Sequence, residues 1–267
     1  MFKSLISPSP SITGFSLVIF FPSSDISTSL SLSLFTNNHS LKNIGYLYSE
    51  GLNPVISNST QENSSEIYLE QNGTLFLDEE KKQLFMDLTG GVAKKGVDVF
   101  LEDLTGFIKK YNLKKLVLVT SSSTENIEDT DIVSKEVNVY FTTNLEGFKS
   151  DVKLSDIKQA FKIPEEKRKN QTYHEMNLVG CPKSLKKLVQ KFLLEDIKFL
   201  FIFSFSDIFS SLFVGYALFR KIETYIGYRK EDEIVIKKEI NKMDVINFIE
   251  NKGLKVERGL KDLLYSY

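Results

Sequence analysis

The chain of 267 residues has little of the two residue types that most often carry metal or thiol chemistry. It contains one cysteine, Cys181, and two histidines, His39 and His174. A single cysteine excludes an intramolecular disulfide framework and fits a reducing compartment. Three such residues also cannot supply the Cys/His spacing of a zinc site. Both histidines stand in polar stretches and are predicted to be solvated loop residues. Cys181 precedes Pro182 at a helix start, where a helix dipole can activate a thiol, but a structural or incidental role is favoured.

Excess charge of one sign is also missing. The formal net charge is −1, with 34 Lys and Arg residues interspersed among 35 Asp and Glu residues. The broad basic field that nucleic-acid binding usually needs is therefore absent. No GxGxxG, P-loop or GxSxG pattern occurs, and no acidic pair stands on an apolar background as a tuned acid/base couple. The sequence predicts no enzyme, no cofactor, no metal site and no nucleic-acid partner.

One serine run stands where a ligand could bind. Ser121-Ser122-Ser123 follows a predicted buried strand, and open α/β sheets bind ligands at the carboxyl ends of their strands. The run lacks any evident partner base, so a loop that ends the strand is the favoured interpretation. The alternative function is a small-molecule-binding α/β enzyme that uses this strand end.

A recognisable secretory signal is lacking. Pro8 and Pro10 separate Lys3 from the apolar run Gly14–Phe21, and no small-residue cleavage site follows that run. The run is therefore predicted to be a first core strand. Sequons for N-glycosylation would matter only in a secreted protein. Five occur, at Asn38, Asn58, Asn63, Asn72 and Asn170.

The one long apolar segment, Phe199–Phe219, spans 21 residues with Asp207 as its only charge. That length suits a membrane helix, but a near-central Asp costs about 3 kcal/mol on insertion. The small and polar residues of the segment reduce the gain further. Two core helices that meet at Ser206-Asp207, with Asp207 capping the second, are the favoured interpretation. No membrane association is expected, and a membrane-anchored protein is the alternative.

The first third of the chain is predicted to form a βαβ unit. The apolar run Phe15–Phe21, ended by Pro22, is typical of a strand buried on both faces. Ile26–Phe35 has helical spacing and follows a Ser23-Ser24-Asp25 cap, although its Leu-Ser alternation also suits a strand. Ile44–Tyr48 supplies the second strand.

The rest of the chain predicts a mixed sheet with helices. Three runs flank Asn-Gly and charged turns and indicate an antiparallel meander: Ile67–Glu70, Thr74–Leu77 and Gln83–Leu88. Later helices are predicted at Val97–Tyr111, Ser155–Phe161, Lys183–Lys198, Ser211–Ile226 and Asp244–Lys252, and later strands at Lys115–Thr120 and Glu136–Phe141. The predicted fold is a single α/β domain over residues 1–267, with a mixed central sheet flanked by helices. The meander is inserted after the first βαβ unit, and a partly flexible charged extension begins at about residue 228.

The carboxyl end is unusually apolar. Leu264, Tyr265, Ser266 and Tyr267 end the sequence, whereas terminal segments are usually polar. Such an end either packs on its own domain or is offered to a partner, because a carboxylate beside aromatic anchors suits capture in a basic pocket. The residues alone leave both alternatives open.

Several segments, in the same order, resemble the proteasome assembly chaperone 2 family, and together they cover roughly residues 14–226. They are Gly14–Leu17, Ile44–Tyr48 with Leu52, Pro54 and Asn58, Lys115–Ser123, Tyr140–Thr143 and Phe199–Tyr225. The chain departs from the family after the first strand, where Ser24-Asp25 replaces a Gly-Asn turn. It also departs at the tail, since Leu264-Tyr265 matches a hydrophobic–tyrosine–any-residue ending that Ser266-Tyr267 makes one residue longer. In the other register Tyr265-Ser266-Tyr267 is the ending, with Ser266 in the tyrosine position.

The resemblance implies a binding protein of the cytoplasm, with the nucleus as a second expected location. It implies a heterodimer with proteasome assembly chaperone 1 that binds the outer face of the 20S α-ring, promotes its assembly and blocks premature docking of regulators. The tail Leu264–Tyr267 is then expected to enter a pocket between proteasome α-subunits.

Overall fold

The computed structural model describes residues 2–5, 9–23, 25–39, 41–53, 72–88, 90–123, 139–143, 161–162, 177–178, 183–195, 197–206 and 211–228. Within these ranges the helices are α1 (Ser27–Asn38), α2 (Val97–Lys110), α3 (Lys183–Leu194) and α4 (Ser211–Tyr225). The strands of the described residues are β1 (Phe2–Ser4), β2 (Ser16–Phe20), β3 (Lys42–Leu47), β4 (Thr74–Asp78), β5 (Gln83–Asp87), β6 (Leu116–Ser123), β7 (Val139–Thr143), β8 (Phe161–Lys162), β9 (Asn177–Leu178) and β10 (Phe199–Ser206).

Eight strands form one mixed sheet in the order β1-β3-β4-β5-β2-β6-β10-β7. The central strands β5, β2, β6 and β10 are parallel to one another. β3, β4 and β5 are joined as an antiparallel meander, and β1 and β7 are added antiparallel at the two ends. The predicted mixed α/β sheet is therefore confirmed. The predicted meander runs Thr74–Leu77 and Gln83–Leu88 pair antiparallel as expected, but the third strand of the observed meander is β3. β3 runs in the direction of β2, as in a βαβ unit, but β4 and β5 lie between them. β8 and β9 form a separate pair.

Alternation along the central strands explains the two cores. Odd-numbered residues of β2 and β10 and even-numbered residues of β6 face α2 and α3, while their neighbours face α1 and α4. Leu17 and Val18 show this alternation, since both are fully buried but belong to opposite cores. A strand that is buried on both faces has a nearly continuous apolar sequence. This rule allowed β2 to be predicted, and the burial of its residues confirms the prediction.

The prediction of two helices within Phe199–Phe219 is wrong in its first half. Residues 199–206 form the strand β10, whose phenylalanines lie on one face and whose Leu200 and Ile202 lie on the other. Periodicity cannot separate a doubly buried strand from a buried helix. The second half is the predicted helix α4, and Asp207 lies outside the described residues. Within the described ranges, no helix is both long and apolar enough to cross a membrane.

The sequence of residues 26–35 suited either a helix or a strand, and the structure has a helix there, α1. Its serines do not alternate across a sheet: Ser27 and Ser31 lie one turn apart and are both fully buried. α1 packs against α4 at Gly215, where an added Cβ would come within 2.9 Å of the Ser27 carbonyl oxygen. The two helices approach closely because this position has no side chain.

The strand β1 was not predicted. Three residues are too short to show a period, yet β1 pairs with β3 through the partners Phe2–Leu47, Lys3–Tyr46 and Ser4–Gly45. Gly45 belongs to the Ile44–Tyr48 stretch that carries the family resemblance, and its φ of +146° is one that residues with a side chain rarely adopt. The register between β3 and β4 shifts between Asn43 and Gly45, so the glycine accommodates a β-bulge.

Candidate functional site

The site that sequence reasoning placed at the chain end cannot be located. Leu264, Tyr265, Ser266 and Tyr267 lie outside the described residues, as do His174, Cys181 and the sequons at Asn58, Asn63 and Asn170. The predicted helix Asp244–Lys252 and the predicted strand Ile67–Glu70 also fall there. Of the predicted helix Ser155–Phe161, only Phe161 is described, and the prediction is wrong there because Phe161 begins β8. The tail role and the C-terminal extension stay predictions.

The serine run does lie at the edge of the sheet where ligands bind in open α/β folds. β2 and β6 are adjacent and parallel, and the next described strands of the sheet after them in sequence, β3 and β7, lie on opposite sides of this pair. Such a divergence is the usual ligand position in this class of fold. The polar residues at this point are therefore the first candidates for a functional site.

A carboxylate occupies that position. Asp25 Oδ1 accepts hydrogen bonds from the Ser27 amide at 2.9 Å and the Ser27 hydroxyl at 2.6 Å, and lies 3.0 Å from the Ser121 hydroxyl. The Ser206 hydroxyl donates to Asp25 Oδ2. Ser27 and Ser121 are also 2.6 Å apart through their hydroxyl oxygens. Ser121 has one hydroxyl hydrogen, which serves either Asp25 or Ser27. We name Asp25, Ser27, Ser121 and Ser206 the Asp25 cluster.

The expectation that Ser121 lacks a partner base is wrong, because the Asp25 carboxylate lies within hydrogen-bond distance. A signal for it was present: Asp25 follows β2 and Ser121 ends β6, and the carboxyl ends of neighbouring parallel strands meet. The cluster is nevertheless closed on itself. Ser27, Ser121 and Ser206 are 0 to 1% exposed. The cap residue of α1 is Ile26, and the Asp25 carboxylate accepts the amide of Ser27, the first residue of the helix. Its main effect is to fasten α1 to β6 and β10.

The serine run does not act as one constellation. Ser122 points to the face opposite Ser121, because side chains alternate along a strand. Ser122 is 2% exposed, and its hydroxyl has no hydrogen-bond partner among the described residues. Thr120, which shares its face, donates to the carbonyl oxygen of Pro22 at 2.9 Å. We therefore assign only Ser121 to the Asp25 cluster.

A second polar group lies at the opposite end of α1. His39 Nε2 is 2.9 Å from Glu223 Oε1 of α4, and Arg220 donates to Glu223 Oε2 at 3.0 Å. The Glu223 side chain is 3% exposed and that of His39 is 16% exposed. The prediction of a solvated His39 is wrong, because the residue follows α1 and packs its ring 4.3 Å from that of Tyr228.

Neighbouring groups determine the protonation state of the Glu223 side chain. Burial raises the pKa of this carboxyl group, but hydrogen bonds from His39 and Arg220, together with their positive charge, outweigh burial. The net pKa lies below the ordinary value of 4.5. Glu223 is therefore ionised at neutral pH, and it holds together the ends of α1 and α4.

Tyr228 also contacts the His39–Glu223 pair. Its hydroxyl donates to Asp78 Oδ2 at 2.5 Å, and its amide donates to the Glu223 carbonyl at 2.8 Å. Gly227, with φ of +81°, ends α4 in a Schellman arrangement that turns Tyr228 back onto the helix. Burial first, and then the hydrogen bond to Asp78 and its negative charge, raise the pKa of Tyr228.

Two of the sequon asparagines are engaged in the fold. Asn38 Nδ2 donates to Glu223 at 3.4 Å, and Asn72 Nδ2 donates to the Gly91 carbonyl at 2.6 Å and the Asn53 carbonyl at 3.1 Å. Asn72 is 9% exposed. It ties the turn before β4 to the loops after β3 and β5. Glycosylation of either amide would require these contacts to break.

Among the described residues, no group of three or more His, Cys, Asp or Glu side chains could hold a metal ion. The Asp25 cluster contains one carboxylate and three hydroxyls. The Glu223 carboxylate is already engaged by His39 and Arg220. In the described part of the chain, both polar groups act as structural joints.

No family model matches the chain, and no curated protein matches it. Solved structures match over nearly its whole length. Pyrococcus furiosus PbaA, an archaeal homolog of proteasome-assembly chaperone, superposes with a TM-score of 0.57 at 9% identity, covering 95% of this chain and 97% of that one. Pyrococcus furiosus PbaB, an archaeal proteasome activator, gives 0.54 at 12% identity, covering 94% and 96%.

A PAC2 family protein from Streptomyces avermitilis MA gives a TM-score of 0.50 at 13% identity, covering 80% of this chain and 86% of that one. At such identities the likeness shows the fold. That fold agrees with the resemblance found in the sequence, so the chain has the architecture shared by this PAC2 family protein and the archaeal proteasome-assembly chaperone homolog.

Proposed function

We propose that this chain is a chaperone of 20S proteasome assembly. The observation that carries the proposal is the agreement of the whole fold with PbaA, which covers 95% of this chain and 97% of that one. The sequence resemblance points independently to the same class. In the cell, the protein acts in the cytoplasm, and also in the nucleus if proteasomes assemble there.

The proposed active form is a heterodimer with a chaperone related to proteasome assembly chaperone 1. It binds the outer face of the α-ring, and its tail Leu264–Tyr267 enters a pocket between α-subunits. A carboxyl end with aromatic and aliphatic anchors has the chemistry of such a contact. Docking there keeps regulators off the unfinished ring.

The contacts of the polar residues support a binding role. Asp25, Ser121 and Ser206 hold one another, and His39 and Glu223 do the same at the other end of α1. These groups build a rigid scaffold. A scaffold of this kind suits a protein whose task is to present surfaces.

Affinity purification of the tagged chain from its own cells, followed by mass spectrometry, tests the proposal. We expect two classes of protein to co-purify: a second α/β chaperone and proteasome α-subunits. A tagged protein of similar size and charge is the control. Recovery of neither class would show that the chain is not an assembly chaperone.

A second candidate, a small-molecule-binding α/β enzyme, is favoured by one observation. Ser121, a hydroxyl that could act as a nucleophile, lies 3.0 Å from the Asp25 carboxylate at a ligand-binding edge. The two candidates differ in what Ser121→Ala does. In a scaffold it lowers stability and leaves partner recovery intact at permissive temperature, whereas an enzyme would lose turnover with its fold preserved.

A further inference from the structure

Three lysines lie together at the amino edge of the sheet, where the parallel strands begin and which is opposite the Asp25 cluster. Lys82 immediately precedes β5, and Lys114 and Lys115 immediately precede β6. β5 and β6 are the two parallel neighbours of β2. All three lysine side chains are exposed. We name them the amino-edge lysines.

The backbone holds these lysines on the two sides of β2. The Ser16 amide donates to the Lys82 carbonyl at 3.0 Å, and the Leu17 amide donates to the Lys115 carbonyl at 2.7 Å. Two strand spacings therefore separate the backbones of Lys82 and Lys115, which is about 10 Å. The positions of the lysines are set by the sheet and not by the conformation of a free loop.

The carboxylates of the turn before β5 are engaged on the other side of that turn. Glu79 Oε2 lies 3.8 Å from the Lys42 ammonium, and Asp78 accepts a hydrogen bond from the Tyr228 hydroxyl. In the part of the chain that the structure describes, the ammonium groups of the amino-edge lysines have no ion pair, hydrogen bond or aromatic ring contact. Three positive charges thus stand close together in a chain whose net charge is −1.

Neighbouring lysines at this edge differ, because their ammonium groups are engaged. Lys109 lies 2.6 Å from a Glu195 carboxylate oxygen, and Lys110 lies 5.2 Å from the ring centre of Tyr111. A single exposed lysine is satisfied by water, but the fold brings three like charges together, and like charges repel one another. Carboxylates from a partner would remove this repulsion.

The surroundings favour protein carboxylates over a nucleic acid. Glu79 and Glu80 lie in the turn that leads to Lys82, and both are exposed. Duplex DNA carries one charge per about 1.7 Å of its axis, so it would meet these carboxylates as well as the lysines. The net charge of −1 provides no long-range attraction for a polyanion. Discrete carboxylates on a protein can be placed opposite the lysines alone.

We infer that the amino-edge lysines bind an acidic helical segment of a partner protein. Glutamates at positions i and i+7 of a helix share a face and lie about 10 Å apart along the axis, which matches the separation of Lys82 and Lys115. A glutamate at i+4 lies on the same face and supplies a carboxylate for Lys114. One face of a strand offers spacings of about 7 or 13 Å, which match less well.

Fluorescence anisotropy with a labelled peptide and the full chain tests this inference. The probe is an alanine-based helix with glutamates at i, i+4 and i+7, and its control has glutamine at these positions. We expect the triple variant Lys82→Gln, Lys114→Gln and Lys115→Gln to bind the glutamate peptide about fivefold or more weakly than the native chain, since each exposed ion pair contributes modestly. Lys94→Gln with Lys95→Gln is the matched control and should bind as the native chain does, because these exposed lysines precede α2 at the opposite edge of the sheet.

Added salt should weaken the native complex more than that of the triple variant, because salt screens exposed charges. Equal losses in the triple variant and the matched control would show that net charge alone matters, and equal binding of the two peptides would show that carboxylates are not recognised. Duplex DNA that displaces the peptide at equal concentration of charge would also overturn the inference. A triple variant that unfolds at a lower temperature than the native chain would assign the lysines to the fold itself. None of these measurements uses α-rings, so the proposed function is tested separately.

Discussion

Asp25 and Ser121 are separated by 96 positions in sequence and by 3.0 Å in space. The contact joins the loop after one central strand to the end of its parallel neighbour. It also brings a carboxylate to the first turn of α1, where the helix dipole stabilises negative charge. The pair therefore links the helix layer to the sheet at the carboxyl edge.

Removing either partner should destabilise the fold. We expect Ser121→Ala to lower the free energy of unfolding by about 1–2 kcal/mol and Asp25→Ala by about 2–3 kcal/mol, since the latter leaves several donors unpaired. Urea titration followed by circular dichroism measures both. Ser29→Ala is the matched control, because Ser29 is exposed on α1. Equal stability of Asp25→Ala and Ser29→Ala would show that the Asp25 cluster does not fasten α1.

Glu223 should make stability depend on pH in the acid range. Its pKa is lower in the folded protein than the ordinary 4.5, so the unfolded chain binds more protons as pH falls. Its contribution is fully present above about pH 5 and is lost as the pH decreases through the folded pKa. Urea midpoints measured between about pH 6 and 3 should fall less steeply in Glu223→Gln than in the native chain. The control is Glu102→Gln, which changes an exposed residue of α2. A native slope retained in Glu223→Gln would contradict the assignment.

Tyr228 should make the stability of the fold depend on pH in the alkaline range. Because the pKa of its hydroxyl is raised above the ordinary 10.0, the contribution of Tyr228 is fully present below that pH and is lost as pH rises beyond it. Tyr228→Phe should cost about 1–2 kcal/mol at neutral pH through the lost hydrogen bond to Asp78. It should also flatten the loss of stability above about pH 10. Thermal unfolding of Tyr228→Phe and of Tyr48→Phe, a half-exposed control, measures both effects. Identical alkaline profiles for Tyr228→Phe and the native chain would refute this role.

The prediction for the tail Leu264–Tyr267 concerns partner binding and not stability. Deleting Leu264–Tyr267 should weaken binding to α-rings at least tenfold, or about 1.4 kcal/mol, and leave the heterodimer intact. Surface plasmon resonance with purified α-rings and size-exclusion chromatography with the partner measure the two properties. Deleting Tyr267 alone leaves Leu264-Tyr265-Ser266 as the ending and reports the register: retained affinity selects Leu264-Tyr265, and lost affinity selects Tyr265-Ser266-Tyr267. Full affinity after the longer deletion would dismiss the tail.

Elements with a strong local signal could be predicted from the sequence. α2 has one apolar stripe and β2 a nearly continuous apolar run, and both predictions are confirmed. β10 was assigned as a helix because both of its faces are buried, and burial removes the period of two. β1 was missed because three residues stabilised mainly by Phe107, Tyr111 and β3 carry no pattern of their own.

The polar joints follow the same logic. Asp25 was recognised as a helix cap, and Ser121 as the end of a strand, from neighbouring residues alone. Their contact requires the order of strands in the sheet. His39 and Glu223 are 184 positions apart, so nothing near His39 in the sequence shows that its ring is covered. Both contacts form between segments that are distant in sequence, so local sequence patterns could not predict them.

The strand order has a consequence for synthesis on the ribosome. β2 lies at the centre of the sheet and is complete at Phe20, but its neighbour β6 ends at Ser123. At the usual 5–20 residues per second, roughly 100 residues of further synthesis leave this apolar strand without one of its partners for about 5–20 seconds. For part of that interval β2 can pair with β5 alone and its other edge is open, and an open apolar strand edge is a site of aggregation in the nascent chain.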